Sequence, residues 1–175
     1  MTLYTIGHST RSLAELVEAL TAQDVETLVD IRSIRRSRTN PQFNETKLVR
    51  ALPARGIAYR AMDGLGGRRS RSKIVPPERN NGWRVAAFHN YADYAETPEF
   101  AEAFAELAAL AKRSTCAIMC AEAVWWRCHR RIVADYAIKA GMRVEHIFTP
   151  TKSERATRTP FSKVDRKTHT LRYPA

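Results

Sequence analysis

Apolar residues in this chain fall into two alternating rhythms, short unbroken runs and repeats at helical spacing, and that alternation restricts the fold more than any other feature. Leu3-Tyr4-Thr5-Ile6 is a short run ending at Gly7-His8-Ser9, which reads as a strand and a turn. Ser12 and Glu15 form a capping box ahead of Leu13, Leu16, Val17 and Leu20, the inner face of a helix. Thr27 to Ile31 is a second strand running into Arg32, followed by a polar, Arg-rich loop from Ser33 to Asn44. Leu48, Val49 and Leu52 mark a second helix with Gly56 beyond its end, and Ile57 to Met62 a third strand. Further on, Pro98 and Glu99 open a helix with Phe100, Phe104, Leu107 and Ala111 on one face. Cys116 to Cys120 is a fourth strand, Trp126 to Ala140 a helix closed by Gly141, and Val144 to Phe148 a fifth strand. Parallel strands need crossover connections, and these are right-handed, so helices cover both faces of the sheet. The pattern predicts a single doubly wound α/β domain over residues 1–175, with a mostly parallel sheet of about five strands.

Two stretches stand outside the rhythm. Residues 63–90 are rich in Gly, Arg, Ser, Pro and Asn and read as a long loop or insertion over one end of the sheet. Residues 149–175 form a basic C-terminal segment, with seven basic and two acidic side chains, a net of +5 within the chain's +11. No apolar stretch approaches the ~20 residues of a membrane span, and no basic-then-apolar leader opens the chain. Three cysteines, an odd number, argue against a secreted disulfide framework, so the expectation is a cytoplasmic protein with reduced thiols and no membrane contact. The charge points to anionic partners, a small molecule or nucleic acid, and says nothing of oligomeric state.

In an open α/β sheet, ligands sit beyond the carboxyl ends of the strands where the strand order reverses. The unusual polar residues of this chain gather at those ends. Strand one leads to His8, Ser9 and Arg11, and strand two to Asp30 and Arg32. Strand three leads to Asp63 and the loop Gly64-Leu65-Gly66-Gly67-Arg68-Arg69. Strand four leads to Cys120 and Glu122, with Cys128, His129 and Arg130 following. The segments TIGHSTR, DIR at Asp30 to Arg32, PQF at Pro41 to Phe43, GLGGR at Gly64 to Arg68, CAE-x5-CHR at Cys120 to Arg130 and VEHI at Val144 to Ile147 together resemble the domain of unknown function 488 family. The resemblance implies an α/β fold and marks the signature residues, and it brings no activity with it.

The residues allow several chemistries. Cys120, facing the start of a helix with Arg and His nearby, suits a thiolate nucleophile or redox thiol; equally it is core packing, as Cys116 is expected to be. Glu122 and His129 suit an acid–base pair, or Glu122 caps the following helix and pairs with Arg127 or Arg130. Cys128 and His129, adjacent on a helix, would point about 100° apart and suit one metal poorly, so neither a metal nor a cofactor is expected. His8, Ser9, Arg11, Arg32, Arg68 and Arg130 are candidate anion-binding residues, although Asp30 also suits pairing with Arg32. Arg35, Arg36 and Arg38 form one basic cluster and Arg68, Arg69, Arg71 and Lys73 a second. Trp83, Phe88, Tyr91 and Tyr94 beside the second either stack on bases or anchor the loop. Two functions follow: an enzyme with Cys120, Glu122 and His129 as its chemistry, acting on a phosphorylated or nucleotide-like anion, or a non-catalytic nucleic-acid-binding module.

Overall fold

Local chemistry sets the first crossover. The Ser12 hydroxyl accepts from the Glu15 N–H at 3.1 Å, and the Glu15 carboxylate accepts from the Ser12 N–H at 2.6 Å. This reciprocal cap starts α1 (Leu13–Thr21) directly after strand β1 (Thr2–Gly7). A computed structural model of the chain describes residues 1–175. The elements continue as β2 (Thr27–Asp30), α2 (Glu45–Ala51), β3 (Ala58–Ala61), α3 (Ala86–Tyr94), α4 (Pro98–Ala111) and β4 (Cys116–Cys120). They close with α5 (Arg130–Lys139), β5 (Arg143–Thr149), β6 (Lys152–Arg155) and a small hairpin, β7 (Lys163–Val164) and β8 (Leu171–Arg172).

The main sheet has six strands in the order β3-β2-β4-β1-β5-β6. All its neighbours pair in parallel except β6, which runs antiparallel to β5. Alternate residues of β4 face opposite sides. Ala117 and Met119 join Leu16, Leu20, Leu48 and Leu52 in the core beneath α1 and α2. Cys116, Ile118 and Cys120 join Phe100, Leu107, Ile132 and Val133 in the larger core beneath α4 and α5. The chain is a single α/β domain with helices on both faces, as the rhythm of apolar residues predicts.

Three boundaries differ from the sequence reading. A sixth strand, β6, lies in the basic segment, and its four residues are all exposed, so no apolar period marks it. The stretch from Asp63 to Asn90 contains short 3-10 turns and the start of α3 at Ala86. The last long helix starts at Arg130 rather than at Trp126. Trp125–Arg127 forms a 3-10 turn, and Cys128 is extended at φ −133° and ψ 146°. The Arg130 guanidinium takes the carbonyls of Glu122 and Ala123, which holds the connecting chain in an open loop.

The C-terminal segment is fastened to the fold by buried polar bonds. The Tyr173 hydroxyl donates to Asp135 at 3.0 Å, its N–H to Asn80 at 2.9 Å, and its carbonyl accepts from Gly82 at 2.8 Å. Asn80 in turn donates to Asp93 and Glu96, each at 2.9 Å, so one buried amide ties the middle of the chain, α3 and the C-terminal hairpin together. Trp83 packs against Phe88, Phe161 and Tyr173, and Tyr91 is fully buried. Trp83 and Tyr91 therefore anchor this stretch to the core, whereas Phe88 and Tyr94 keep part of their surface exposed.

Leu171 is fully buried, whereas Val164 on the paired strand is 40% exposed. Leu171→Ala is therefore expected to cost about 2–4 kcal/mol in urea unfolding with an unchanged slope, and Val164→Ala less than about 0.5 kcal/mol. Equal, small effects at both positions would show that the segment is not part of the cooperative unit.

Candidate functional site

The helices after β1 and β2 pack on one face of the sheet and the helix after β4 on the other, so the strand order reverses on both sides of β4. Cys120 is the last residue of β4, opposite Gly7 in the register. The turn after β1 is bound to the same strand end. The His8 N–H donates to the Cys120 carbonyl at 2.9 Å, and the Ser9 N–H to that of Ala121 at 3.0 Å. Ser9 takes a left-handed φ of +47° to do so, and its amide is not free to hold an anion. A Cβ on Gly7 would lie 1.8 Å from the Glu122 carbonyl oxygen and 2.7 Å from Nη1 of Arg130, so this position accepts no side chain.

Arg130 is buried to 2% exposure and has no carboxylate partner. Its Nη1 donates to the Cys120 sulfur and to the Glu122 carbonyl, both at 2.8 Å, its Nη2 to the Ala123 carbonyl at 3.0 Å, and its Nε to nothing. A buried cation requires negative charge or dipoles directed at it. Two carbonyls supply dipoles, and the Cys120 sulfur is the one group in contact that can carry a full charge. Cys128 Sγ lies 2.6 Å from Cys120 Sγ. Burial pushes the Cys120 thiol up, but the hydrogen bond from Cys128 and the Arg130 charge outweigh it, leaving Cys120 below the ordinary thiol value. Burial pushes Cys128 well up, and the adjoining Cys120 adds to this, so the pair divides into one thiolate former and one thiol.

His129 stands beside them. Its Nε2 lies 3.0 Å from the Ile31 carbonyl, which only accepts, so Nε2 carries the proton. Nδ1 is left as an acceptor 3.6 Å from Cys128 Sγ. Burial, followed by the Arg130 charge, lowers its pKa from 6.5 to about 4. The ring packs closely on the glycine loop, where a Cβ on Gly67 would meet Nδ1 at 2.3 Å. His146 is likewise neutral, lowered to about 3 by burial and then by Arg130, with Nδ1 at 2.7 Å from the Thr5 hydroxyl and its ring on Trp125.

Cys120, Cys128 and His129 form the floor of a cavity of about 370 Å³. Arg68, Glu122 and Arg127 stand exposed on its lip with no ion-pair partner, and Ile34, Val85 and Phe88 form an apolar side. Glu122 therefore neither pairs with His129 nor caps a helix. Its carbonyl serves Arg130, and its carboxylate faces solvent.

The other expected anion ligands are occupied within the fold. Arg32 donates from Nε and Nη2 to both oxygens of fully buried Asp30, from Nη2 to the Phe43 carbonyl at 2.8 Å, and from Nη1 to His8 Nε2 at 3.2 Å. Tyr59 adds a hydrogen bond to Asp30 at 2.8 Å. His8 donates from Nδ1 to the Ser9 carbonyl and stacks on Phe43, and burial lowers its pKa. Arg11 donates to the carbonyls of Gly7 at 3.2 Å and Phe148 at 2.6 Å. His8, Ser9, Arg11 and Arg32 thus hold the strand ends in place. Arg130 holds a sulfur instead of a ligand, and Arg68 alone of the six remains free for an anion. Of the basic clusters, Arg35 pairs with Asp63 and Arg69 covers Tyr94. Cys128, set at this strand end by the sequence reading only as a poor metal ligand, and Arg127, named there only as a partner for Glu122, line the cavity because Trp125–Arg127 is a short 3-10 turn and Cys128 is extended.

An α/β domain with a thiol and a guanidinium at the reversal point of its sheet is the class that the fold and the site define. The chain belongs to a family described as Domain of unknown function DUF488, whose model matches residues 12–137, well over half of its length. The match includes Cys120, Cys128, His129 and Arg130, whereas the turn at Gly7 to Ser9 and the segment Val144 to Ile147 lie outside it. No curated protein and no solved structure matches the chain. No helix is long and apolar enough to cross a membrane.

Nitrogen NMR of the imidazoles, followed from about pH 7.5 down to about pH 5.5, is expected to show His129 neutral throughout with its proton on Nε2. Because the unfolded chain takes up this proton near 6.5 and the folded one only near 4, the stability tied to His129 is complete above 6.5 and falls between the two values. Titration of the His129 imidazole itself near 6.5 in the folded protein would refute the placement.

Proposed function

We propose that the chain is an enzyme in which Cys120, held as a thiolate by Arg130, attacks the phosphorus of a small phosphorylated or nucleotide-like anion drawn in by Arg68 and Arg127. An S–P bond forms as the P–O bond to the leaving alkoxide breaks, and water later breaks the S–P bond to free phosphate. The observation that carries this reading is the buried Arg130 guanidinium, 2.8 Å from the Cys120 sulfur and without a carboxylate. An ion-paired thiolate at the floor of a cavity is the arrangement that activates a sulfur nucleophile near neutral pH. Cavities of roughly 300 Å³ and above hold small ligands, and this one has two free cations at its opening. Neutral His129 orients the Cys128 thiol through Nδ1, and Glu122 is available on the lip for a substrate hydroxyl.

The ultraviolet thiolate band tests the reading without requiring a reagent to reach a buried sulfur. The native protein is expected to develop it below the ~8.5 of a free thiol, and Arg130→Met to move the transition above that value while circular dichroism stays unchanged. Turnover of phosphorylated small molecules, once found, is expected to vanish in Cys120→Ser. A native thiolate transition at or above ~8.5 would end the proposal.

A second reading, a nucleic-acid-binding module, is favoured by one observation: Arg36, Arg38, Arg71 and Lys73 are exposed at the same end of the sheet and none is in an ion pair. Its test is duplex DNA affinity against salt, where a log–log slope of roughly −0.9 per neutralised phosphate is expected. A flat response rejects it.

A further inference from the structure

Cys128 has no assigned part in the nucleophilic attack beyond its hydrogen bond to Cys120, yet it is the closest group to the nucleophile. Its sulfur is 2.6 Å from that of Cys120, both are buried, and both face the same cavity. The third cysteine, Cys116, is also buried but lies at the other end of β4, bonded to the Ser114 carbonyl. Cys120 is only 2% exposed, so an oxidant that reaches it must be small.

We infer that Cys120 and Cys128 form a reversible dithiol–disulfide pair, with a small hydroperoxide as the oxidant and Cys128 as the resolving thiol. The inference rests on the reading of Cys120 as a thiolate. The Cys120 thiolate attacks one peroxide oxygen. An S–O bond forms, the O–O bond breaks, and the departing alkoxide or hydroxide takes a proton from solvent. Arg130, which donates to the Cys120 sulfur, remains beside the sulfenic acid that results. The Cys128 sulfur then attacks that of Cys120, 2.6 Å away in the reduced pair. The S–O bond breaks as the S–S bond forms, and the departing hydroxide takes the Cys128 proton and leaves as water. The two sulfurs together lose two electrons and the peroxide gains them. A low-molecular-weight dithiol returns two electrons and two protons to restore the pair.

His129 stays neutral with its proton fixed on Nε2 by the Ile31 carbonyl, so Nδ1 stands beside Cys128 as a hydrogen-bond acceptor and orients its thiol. Once the bond forms, no thiolate remains, so oxidation also switches off the nucleophile.

The test treats the full-length protein with stoichiometric hydrogen peroxide, followed by alkylation, trypsin and mass spectrometry. Cleavage after Arg113, Arg127 and Arg130 leaves Cys116 and Cys120 on one peptide and Cys128 on another, so the measurement is made in the Cys116→Ser background. The expected product is the two peptides joined with the loss of two hydrogens, restored by dithiothreitol. Cys128→Ala is expected to stop at a dimedone-reactive sulfenic acid on Cys120 and then over-oxidise. Sulfenic or sulfinic acid on Cys120 of the otherwise native protein, with no cross-link, would overturn the pairing yet leave the thiolate reading intact. No modification of Cys120 under peroxide, together with a thiolate transition above ~8.5, would remove both.

Discussion

A buried guanidinium without a carboxylate is the constraint around which this molecule is arranged. Taking a cation out of water costs several kcal/mol unless negative charge and dipoles replace the solvent. Arg130 receives two carbonyls and one sulfur for this purpose, and each comes from the loop that follows β4 or from the end of β4 itself. The consequences spread outward. The loop cannot be helical, because its carbonyls turn inward to the cation instead of along a helix axis. Gly7 must lack a side chain, because the Glu122 carbonyl and Nη1 of Arg130 occupy the space a Cβ would need. After burial, the same charge adds to the lowering of His129 and of His146.

Comparison with Arg32 shows how differently two buried cations of one fold are balanced. Both are almost fully buried and both sit at the carboxyl end of the sheet. Arg32 meets a carboxylate, Asp30, through two hydrogen-bonded nitrogens, and its remaining bonds go to a carbonyl and a neutral imidazole. Its charge is balanced within the fold, and the network with His8, Tyr59 and Phe43 is a fixed support beside the cavity. Arg130 is balanced only if Cys120 ionises. Electrostatic demand that the fold leaves unmet is what drives chemistry at a site.

Much of the architecture was legible because its causes are local. The Ser12–Glu15 cap, the apolar runs of β1, β2, β4 and β5 and the helical repeats of α1 and α4 each declare themselves within a few residues. β6 does not, since Lys-Ser-Glu-Arg on a sheet edge buries nothing. α3 was hidden within a polar stretch, because the buried side of Tyr91, Ala92 and Asp93 is short and half polar. At the site, the residue types and the local Asp30–Arg32 pair were legible, and the other pairings were not. Arg11, Arg68 and Arg130 are equivalent as letters. Which one meets a carbonyl, a sulfur or water depends on contacts between strand ends and loops apart in sequence. The same distance hides the meeting of Cys120 with Cys128, because a helix through Trp126 would have separated them.

The link between Arg130 and the loop makes reactivity and conformation one equilibrium. Each unit by which the guanidinium lowers the Cys120 pKa corresponds to about 1.4 kcal/mol of preference for the thiolate. By linkage, the thiolate holds the guanidinium by the same amount. Any chemistry that consumes the thiolate, whether a covalent adduct or a bond to another sulfur, removes the only full negative charge in contact with a buried cation. Arg130 must then rely on the Glu122 and Ala123 carbonyls alone, or draw an external anion or water toward its unpartnered Nε. Those carbonyls belong to the loop that carries Glu122 and Arg127 on the lip of the cavity. The state of one sulfur is therefore felt at the lip of the cavity, by way of a single side chain.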